Sequence, residues 1–220
     1  MERVLVIGAS GGIGSAISTA LEARGTNVLR LSRSLDGFDV ADEASVAKGL
    51  SGLSGFDGVI VASGALEVQG AVPEKTIRAI SAKAMADQFA VNAIGPALVL
   101  KHAHQLLRRD GRTMFAVLSA RVGSIGDNRI GGWISYRAAK AAVNQILHTS
   151  AIELARSHPE AICVALHPGT VRTHFSEKYV GRHPTVEADD AAQNLLRVMD
   201  GLTPAHSGQF FDWRGEEVAW

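Results

Sequence analysis

The chain has 220 residues, 22 basic and 22 acidic side chains, 23 glycines and one cysteine. That length suits one α/β domain over residues 1–220, burying roughly 70% of its unfolded surface, and would cramp two. Zero formal charge argues against a broad basic face for nucleic acid, and the lone Cys163 excludes an internal disulfide or a cysteine-rich zinc site. Residues 4–7 form a short buried strand, too short for a signal-peptide core, and 12–24 read as a helix closed by Gly25. Asn27–Leu31 is a second strand, 38–40 a brief third, and Glu43–Leu50 a helix. A fourth strand covers 59–62; 75–109 is helical with a break near Ser81. Residues 113–119 make a fifth strand, 133–157 a long helix, 161–166 a sixth strand, 186–199 a helix and 208–212 a last strand. Strands that alternate with helices and lack alternating polarity predict a doubly wound, Rossmann-type parallel sheet of about seven strands, covered on both faces. No apolar stretch approaches the 18 or so residues of a membrane span, so the expectation is a cytoplasmic protein with no membrane or nucleic-acid partner.

Between the first strand and the first helix lies Gly8-Ala9-Ser10-Gly11-Gly12-Ile13-Gly14. Small residues are needed where a backbone turns sharply to meet a pyrophosphate held at a helix N-terminus. The G-x-x-x-G-x-G spacing differs from the general dinucleotide fingerprint, but its place between strand and helix favours a nucleotide. About 20 residues further on, a carboxylate would bind the ribose of NAD and an arginine the 2′-phosphate of NADP. This chain has Ser32-Arg33-Ser34 there and no acid until Asp36, which favours NADP(H) over NAD(H).

Tyr136 and Lys140 are four apart, so they share a face of the long helix. A cation beside a phenol lowers its pKa from near 10 and makes it a usable general acid for a carbonyl oxygen.

A phosphate-cradling turn, an NADP-like strand end and Tyr136 with Lys140 after the fifth strand together resemble the short-chain dehydrogenase/reductase family over essentially the whole chain. Asp39-Val40 matches the family's adenine-contacting pair, and Val61-Ala62-Ser63-Gly64 stands in place of its Asn-Asn-Ala-Gly segment. Asn92 matches the helix asparagine of the catalytic tetrad. His167-Pro168-Gly169-Thr170-Val171-Arg172-Thr173 matches the Pro-Gly segment beside the nicotinamide. Ser119 through Ile125, Gly131-Gly132-Trp133 and the ending from Gly208 to Trp220 look like the C-factor-like or sniffer-like carbonyl reductase branch. One position departs: where the family ends its fifth strand in two serines, the second catalytic, this chain has Ser119-Ala120. Ser119 is the nearest hydroxyl, Ser124 the next.

The resemblance implies an NADP(H)-dependent carbonyl reductase or alcohol dehydrogenase acting on a small substrate, in a homodimer or homotetramer. Tyr136 would be the general acid/base and Lys140 would tune it and hold the nicotinamide ribose. Ser119 would steady the substrate oxygen, and Asn92 would order a water in a proton relay. Gly8, Ser10, Gly12, Ile13, Gly14, Ser32, Arg33, Asp39, Val40, Ala62, Ser63, Gly64, Pro168, Gly169, Val171 and Thr173 would complete the cofactor site. With Ala120 in the serine position, a dinucleotide-binding signalling protein of C-factor type is the alternative, and an epimerase or dehydratase on the same fold a third. The histidines lack partners at metal-ligand spacing, so no metal is expected, and Cys163 reads as a small core residue. Residues 174–184 should form the substrate lid, with Phe175, Lys178, Tyr179, Arg182 and His183. A segment this short leans toward a small aldehyde or ketone.

Overall fold

Apolar runs with no polar alternation must be covered on both sides, and the chain meets that need with one parallel sheet. The computed structural model describes residues 1–173, 176–179 and 184–220. The strands are β1 (Arg3–Ile7), β2 (Asn27–Leu31), β3 (Gly58–Val61), β4 (Thr113–Leu118), β5 (Ala161–His167) and β6 (Phe210–Asp212). They stand in the order β2-β1-β3-β4-β5-β6 and every pairing is parallel. The helices are α1 (Gly12–Ala23), α2 (Arg33–Asp36), α3 (Glu43–Leu50), α4 (Ala82–Phe89), α5 (Gly95–Leu100), α6 (Ala103–Leu106), α7 (Ile134–Leu154) and α8 (Ala188–Gly201).

Period-two alternation sorts the core into two layers. Val4, Val6, Ile60, Ala116 and Val164 pack beneath α1 and α8, against Ile17, Leu21, Leu195 and Met199. Leu5, Ile7, Val59, Phe115, Val117 and Cys163 face α3, α5 and α7, meeting Leu50, Val99, Val143 and Leu147. Cys163 is fully buried, as a core residue should be, and burial pushes its thiol up to about 12. Asp57, buried at the start of β3, accepts hydrogen bonds from the amides of Glu2 and Arg3 and pairs with Arg108, tying β1 to β3. No helix among the described residues is long and apolar enough to cross a membrane.

Two expectations need correction. Residues 38–40 are not a strand, so the described residues hold six strands. Gly37, at φ 69°, closes α2, and the amide of Phe38 returns to the Ser32 carbonyl at 3.2 Å. The chain thus folds back instead of running beside β2. Phe38 and Val40 are buried by packing, Phe38 over Gly49 of α3 and Val40 on Gly95. The helical stretch 75–109 is also more divided than expected. One 3-10 turn (Ile77–Ala79) precedes α4, capped by Ser81, and five residues of π-helix (Ala90–Ile94) link α4 to α5. A turn at Lys101 and His102 then separates α6.

Candidate active site

The crossover from β1 leads to β2 on one side of the sheet, whereas β3 lies on the other. That reversal opens a crevice past the carboxyl ends of β1 and β3, where ligands bind in such sheets. Gly8 lines it. Its φ of 83° suits glycine, and a Cβ there would stand 2.6 Å from the Ser63 amide nitrogen. A Cβ on Gly14 would overlap the Gly8 carbonyl oxygen, and one on Gly12 would lie 2.6 Å from the Thr173 methyl. These three glycine positions are thus closed to side chains, and the turn leads into the first turn of α1, with Ser10 exposed and Ile13 partly buried beside the core. Ser63 Oγ is buried and has no hydrogen-bond partner among the described residues. A glycine cradle with an unmet hydroxyl on its far wall fits a dinucleotide pyrophosphate and ribose.

At the end of β2, Ser32 caps α2, its hydroxyl accepting from the Leu35 amide at 3.3 Å. Arg33 is exposed and has no ion-pair partner among the described residues. Asp36 turns back and accepts from the Ser32 amide at 3.1 Å. Asp39 is engaged locally, its carboxylate accepting from the Ala41 amide at 2.9 Å, and Val40 is buried.

Asn92 and Lys140 come together at Gly64, with the Tyr136 ring next to the lysine. A Cβ on Gly64 would lie 3.1 Å from Asn92 Oδ1 and 3.6 Å from Lys140 Nζ. Asn92 sits fully buried in the π-helical segment; Oδ1 accepts from the Ala65 amide at 3.0 Å and Nδ2 donates to the Ala65 carbonyl at 2.8 Å. Its amide is thus committed to holding the chain just past Gly64 and Ala62. Lys140 Nζ donates to the Leu118 carbonyl at 2.9 Å and stands 5.8 Å from the centre of the Tyr136 ring. Both side chains are almost wholly enclosed, at 3% and 6% exposure. Burial pulls the lysine down to about 8 and pushes the phenol above its ordinary value.

Ser119 follows Leu118, the carbonyl partner of Lys140, but turns its hydroxyl to α7. Its hydroxyl donates to Asn144 Oδ1 at 2.6 Å. Asn144 is eight residues along α7 from Tyr136, roughly 12 Å by helical rise. Ala120 follows in extended backbone at the head of a 3-10 turn (Arg121–Gly123). Ser124 is buried and accepts from the Asp127 amide at 3.0 Å.

Past β5, Gly169 adopts φ 84°, and a Cβ there would meet the Trp213 ring at 3.0 Å. Pro168 is partly exposed beside it, Val171 is buried and bridged to Val186, and the Thr173 amide donates to Ser176 Oγ at 3.2 Å. His167 is mostly enclosed. Burial first, and Arg121 second, bring its imidazole down to about 4 against the opposing pull of Asp212. Of the expected lid, His174, Phe175, Arg182 and His183 lie outside the described residues. Among the described residues no three His, Cys, Asp or Glu side chains are grouped to hold a metal ion.

Three residues at the site were not singled out for these roles from the sequence. Gln88 Oε1 accepts from Asn92 Nδ2 at 2.7 Å, and its own amide donates to the Leu66 carbonyl. The i,i+4 spacing to Asn92 was the signal available. Glu74 is buried and accepts both the amide and the hydroxyl of Ser135, capping α7 beside Tyr136. Burial raises its pKa, but the Ser135 bonds and backbone bonds outweigh this and leave it lowered. Trp133 precedes α7 in left-handed backbone, φ 54° and ψ 40°.

The family profile described as Enoyl-(Acyl carrier protein) reductase matches residues 32–204. The C-signal of Myxococcus xanthus is 39% identical over 137 residues, 62% of this chain and 78% of that one. The 1-hydroxy-2-glutathionyl-2-methyl-3-butene dehydrogenase of Rhodococcus sp. (strain AD45) is 30% identical over 232 aligned positions covering 100% of both chains. The NADPH-bound carbonyl reductase from chicken fatty liver superposes with a TM-score of 0.81 at 25% identity, covering 100% of this chain and 94% of that one. The chain belongs to the short-chain dehydrogenase/reductase family of oxidoreductases.

Proposed function

We propose that the protein is an NADP(H)-dependent oxidoreductase that interconverts a carbonyl and a hydroxyl on a small substrate. The observation that carries this reading is the enclosed pair of Tyr136 and Lys140, the lysine Nζ lying beside Gly64 at the mouth of the glycine crevice. The full-length likeness to a Rhodococcus dehydrogenase and the likeness to an NADPH-bound carbonyl reductase support it. Gly8, Gly12 and Gly14 would admit the pyrophosphate, Ser63 would meet a ribose hydroxyl, and the exposed Arg33 would take a 2′-phosphate. When bound, the reduced nicotinamide supplies the hydride equivalent to the carbonyl carbon.

The rest falls to this chain. Tyr136 Oη donates its proton to the carbonyl oxygen as negative charge builds there, and the ammonium of Lys140 stabilises the phenolate left behind. In the reverse direction the same phenolate accepts the proton of the alcohol. Asn92 holds the Gly64 segment in register, and Ser119 contacts substrate only after giving up its bond to Asn144. The test is consumption of NADPH with a panel of aldehydes, ketones and quinones. Tyr136→Phe is expected to lower kcat by at least about a hundredfold, and Arg33→Asp to weaken NADPH far more than NADH. Turnover that survives Tyr136→Phe unchanged overturns the reading.

A second reading is a dinucleotide-binding signalling protein with little turnover. It is favoured by Ala120, by the commitment of Ser119 to Asn144, and by the identity to C-signal. Tight NADPH binding with no substrate consumed across the panel would select it.

A further inference from the structure

The carboxyl end of α8 carries a pocket that the crevice and its proton-transfer pair do not use. Its volume is about 240 Å³. Arg197, His206 and Arg214 form the polar part of the lining, and Val198, Leu202 and Phe211 the apolar part. Two glycines keep it open. Gly201 is four residues past Arg197 on the same helix face, and a Cβ there would meet nothing within 4 Å. Gly215, at φ 85°, turns the chain after β6, and a Cβ there would come no nearer than 3.8 Å, to Val198. No acidic side chain lines the pocket among the described residues.

That one-sidedness is not repaired by ion pairs. Arg197 donates to a neutral partner, Asn194 Oδ1, at 3.0 Å. Arg214 lies over the Trp213 ring, 4.7 Å from its centre, and its amide is tied to Asp212 Oδ1 at 2.8 Å. Trp213 is held in turn against Gly169, so the guanidinium rests on a fixed platform. Neither arginine has a carboxylate partner among the described residues. Asp200 and Asp212 are drawn elsewhere, to Arg24 at 2.9 Å and Arg121 at 3.1 Å, and Glu216 and Glu217 do not line the pocket. His206 adds a third donor. Its Nδ1 accepts from the Thr203 amide at 2.9 Å, which puts the ring proton on Nε2.

We infer that this pocket is a second binding site, for a small amphiphilic anion such as a short-chain alkyl phosphate or carboxylate. Guanidinium groups match the oxygens of either head group in planar, charge-assisted hydrogen bonds. Val198, Leu202 and Phe211 offer an apolar floor, on which each buried methylene should tighten binding about fourfold. The volume lies below the roughly 300–1,000 Å³ of sites for drug-sized ligands, which limits the occupant to a short chain. The inference is independent of the oxidoreductase reading, since none of these side chains belongs to the crevice.

The test is calorimetry on the full chain, saturated with NADP so that the crevice is filled, with hexyl phosphate, inorganic phosphate and 1-hexanol as probes. Hexyl phosphate should bind at least about tenfold more tightly than inorganic phosphate, and 1-hexanol should show no saturable binding. Arg197→Gln and Arg214→Gln should each weaken hexyl phosphate about tenfold and leave NADP affinity at the parent value. Both side chains are exposed, so Tm should not change. Hexyl phosphate that binds the parent and both variants alike overturns the site. So does hexyl phosphate that binds no more tightly than inorganic phosphate, or that fails to bind at millimolar concentration.

Discussion

Burial moves the two central side chains in opposite directions, and the chemistry depends on the interval between them. With Lys140 down to about 8 and the Tyr136 phenol above its ordinary value, phenol and ammonium coexist only below about pH 8. A lysine whose folded pKa is lowered loses its charge earlier than the exposed 10.5 would suggest. Carbonyl reduction is therefore expected to fall as pH rises through about 8, read as kcat/KM for NADPH-dependent reduction. Lys140→Arg keeps the charge and should remove that limb; a limb that persists assigns it to another group. Ala120 poses the second question at this scale. Ala120→Ser should raise kcat on the order of tenfold by adding a donor to the substrate oxygen. Ser119→Ala should instead cost about 1 kcal/mol of stability by losing the bond to Asn144, measured by urea unfolding. The same position illustrates what the residues alone could tell. The tyrosine–lysine pair was legible from a spacing of four, but the direction of Ser119 was not taken from strand alternation. That alternation puts it on the face of Phe115 and Val117, under α7.

At the scale of elements, the start of α7 decides where Tyr136 stands. It is fixed by Glu74, 61 residues away from Ser135 in the chain. A capping carboxylate stabilises a helix start, and its removal should cost about 1–2 kcal/mol. Glu74→Ala is thus expected to lower Tm and to raise KM and lower kcat together, while Glu74→Gln, still able to accept from the Ser135 amide, loses less. Equal effects of the two variants would remove the cap from the explanation. No local pattern announces a cap supplied from such a distance, which is why the long helix was legible and its anchor was not. The two misread segments have related causes. Residues 38–40 are β-branched and aromatic enough to suggest a strand, yet Gly37 turns them onto α3, where Phe38 earns its burial from Gly49. The π-helical segment at Asn92 keeps ordinary helical composition. The Asn92 amide held within it is bonded to Ala65, 27 residues distant, a contact that no local pattern announces.

Across the whole molecule, the far side of the sheet is closed by a polar knot. Asp212 of β6 accepts from the amides of Arg214 and Glu216 and from Arg121, and the Trp220 carbonyl accepts from the Gly126 amide at 2.8 Å. His167 is enclosed there, its Nδ1 without a hydrogen-bond partner among the described residues. Its folded pKa of about 4 lies below the ordinary 6.5, so between those values the unfolded chain binds more protons. Stability should therefore fall as pH drops from 6.5 through 4, by up to about 3 kcal/mol from this group. Urea unfolding of the parent against His167→Gln across that range checks it, and identical slopes would acquit the histidine. The strand order itself carries a further consequence, for synthesis. β1 can pair with β2 as soon as both have left the ribosome, but its other neighbour, β3, begins only at Gly58. Until then an apolar strand destined for the centre of the sheet has one bare edge, so nascent chains stalled between Leu31 and Gly58 are the species for a chaperone to shield.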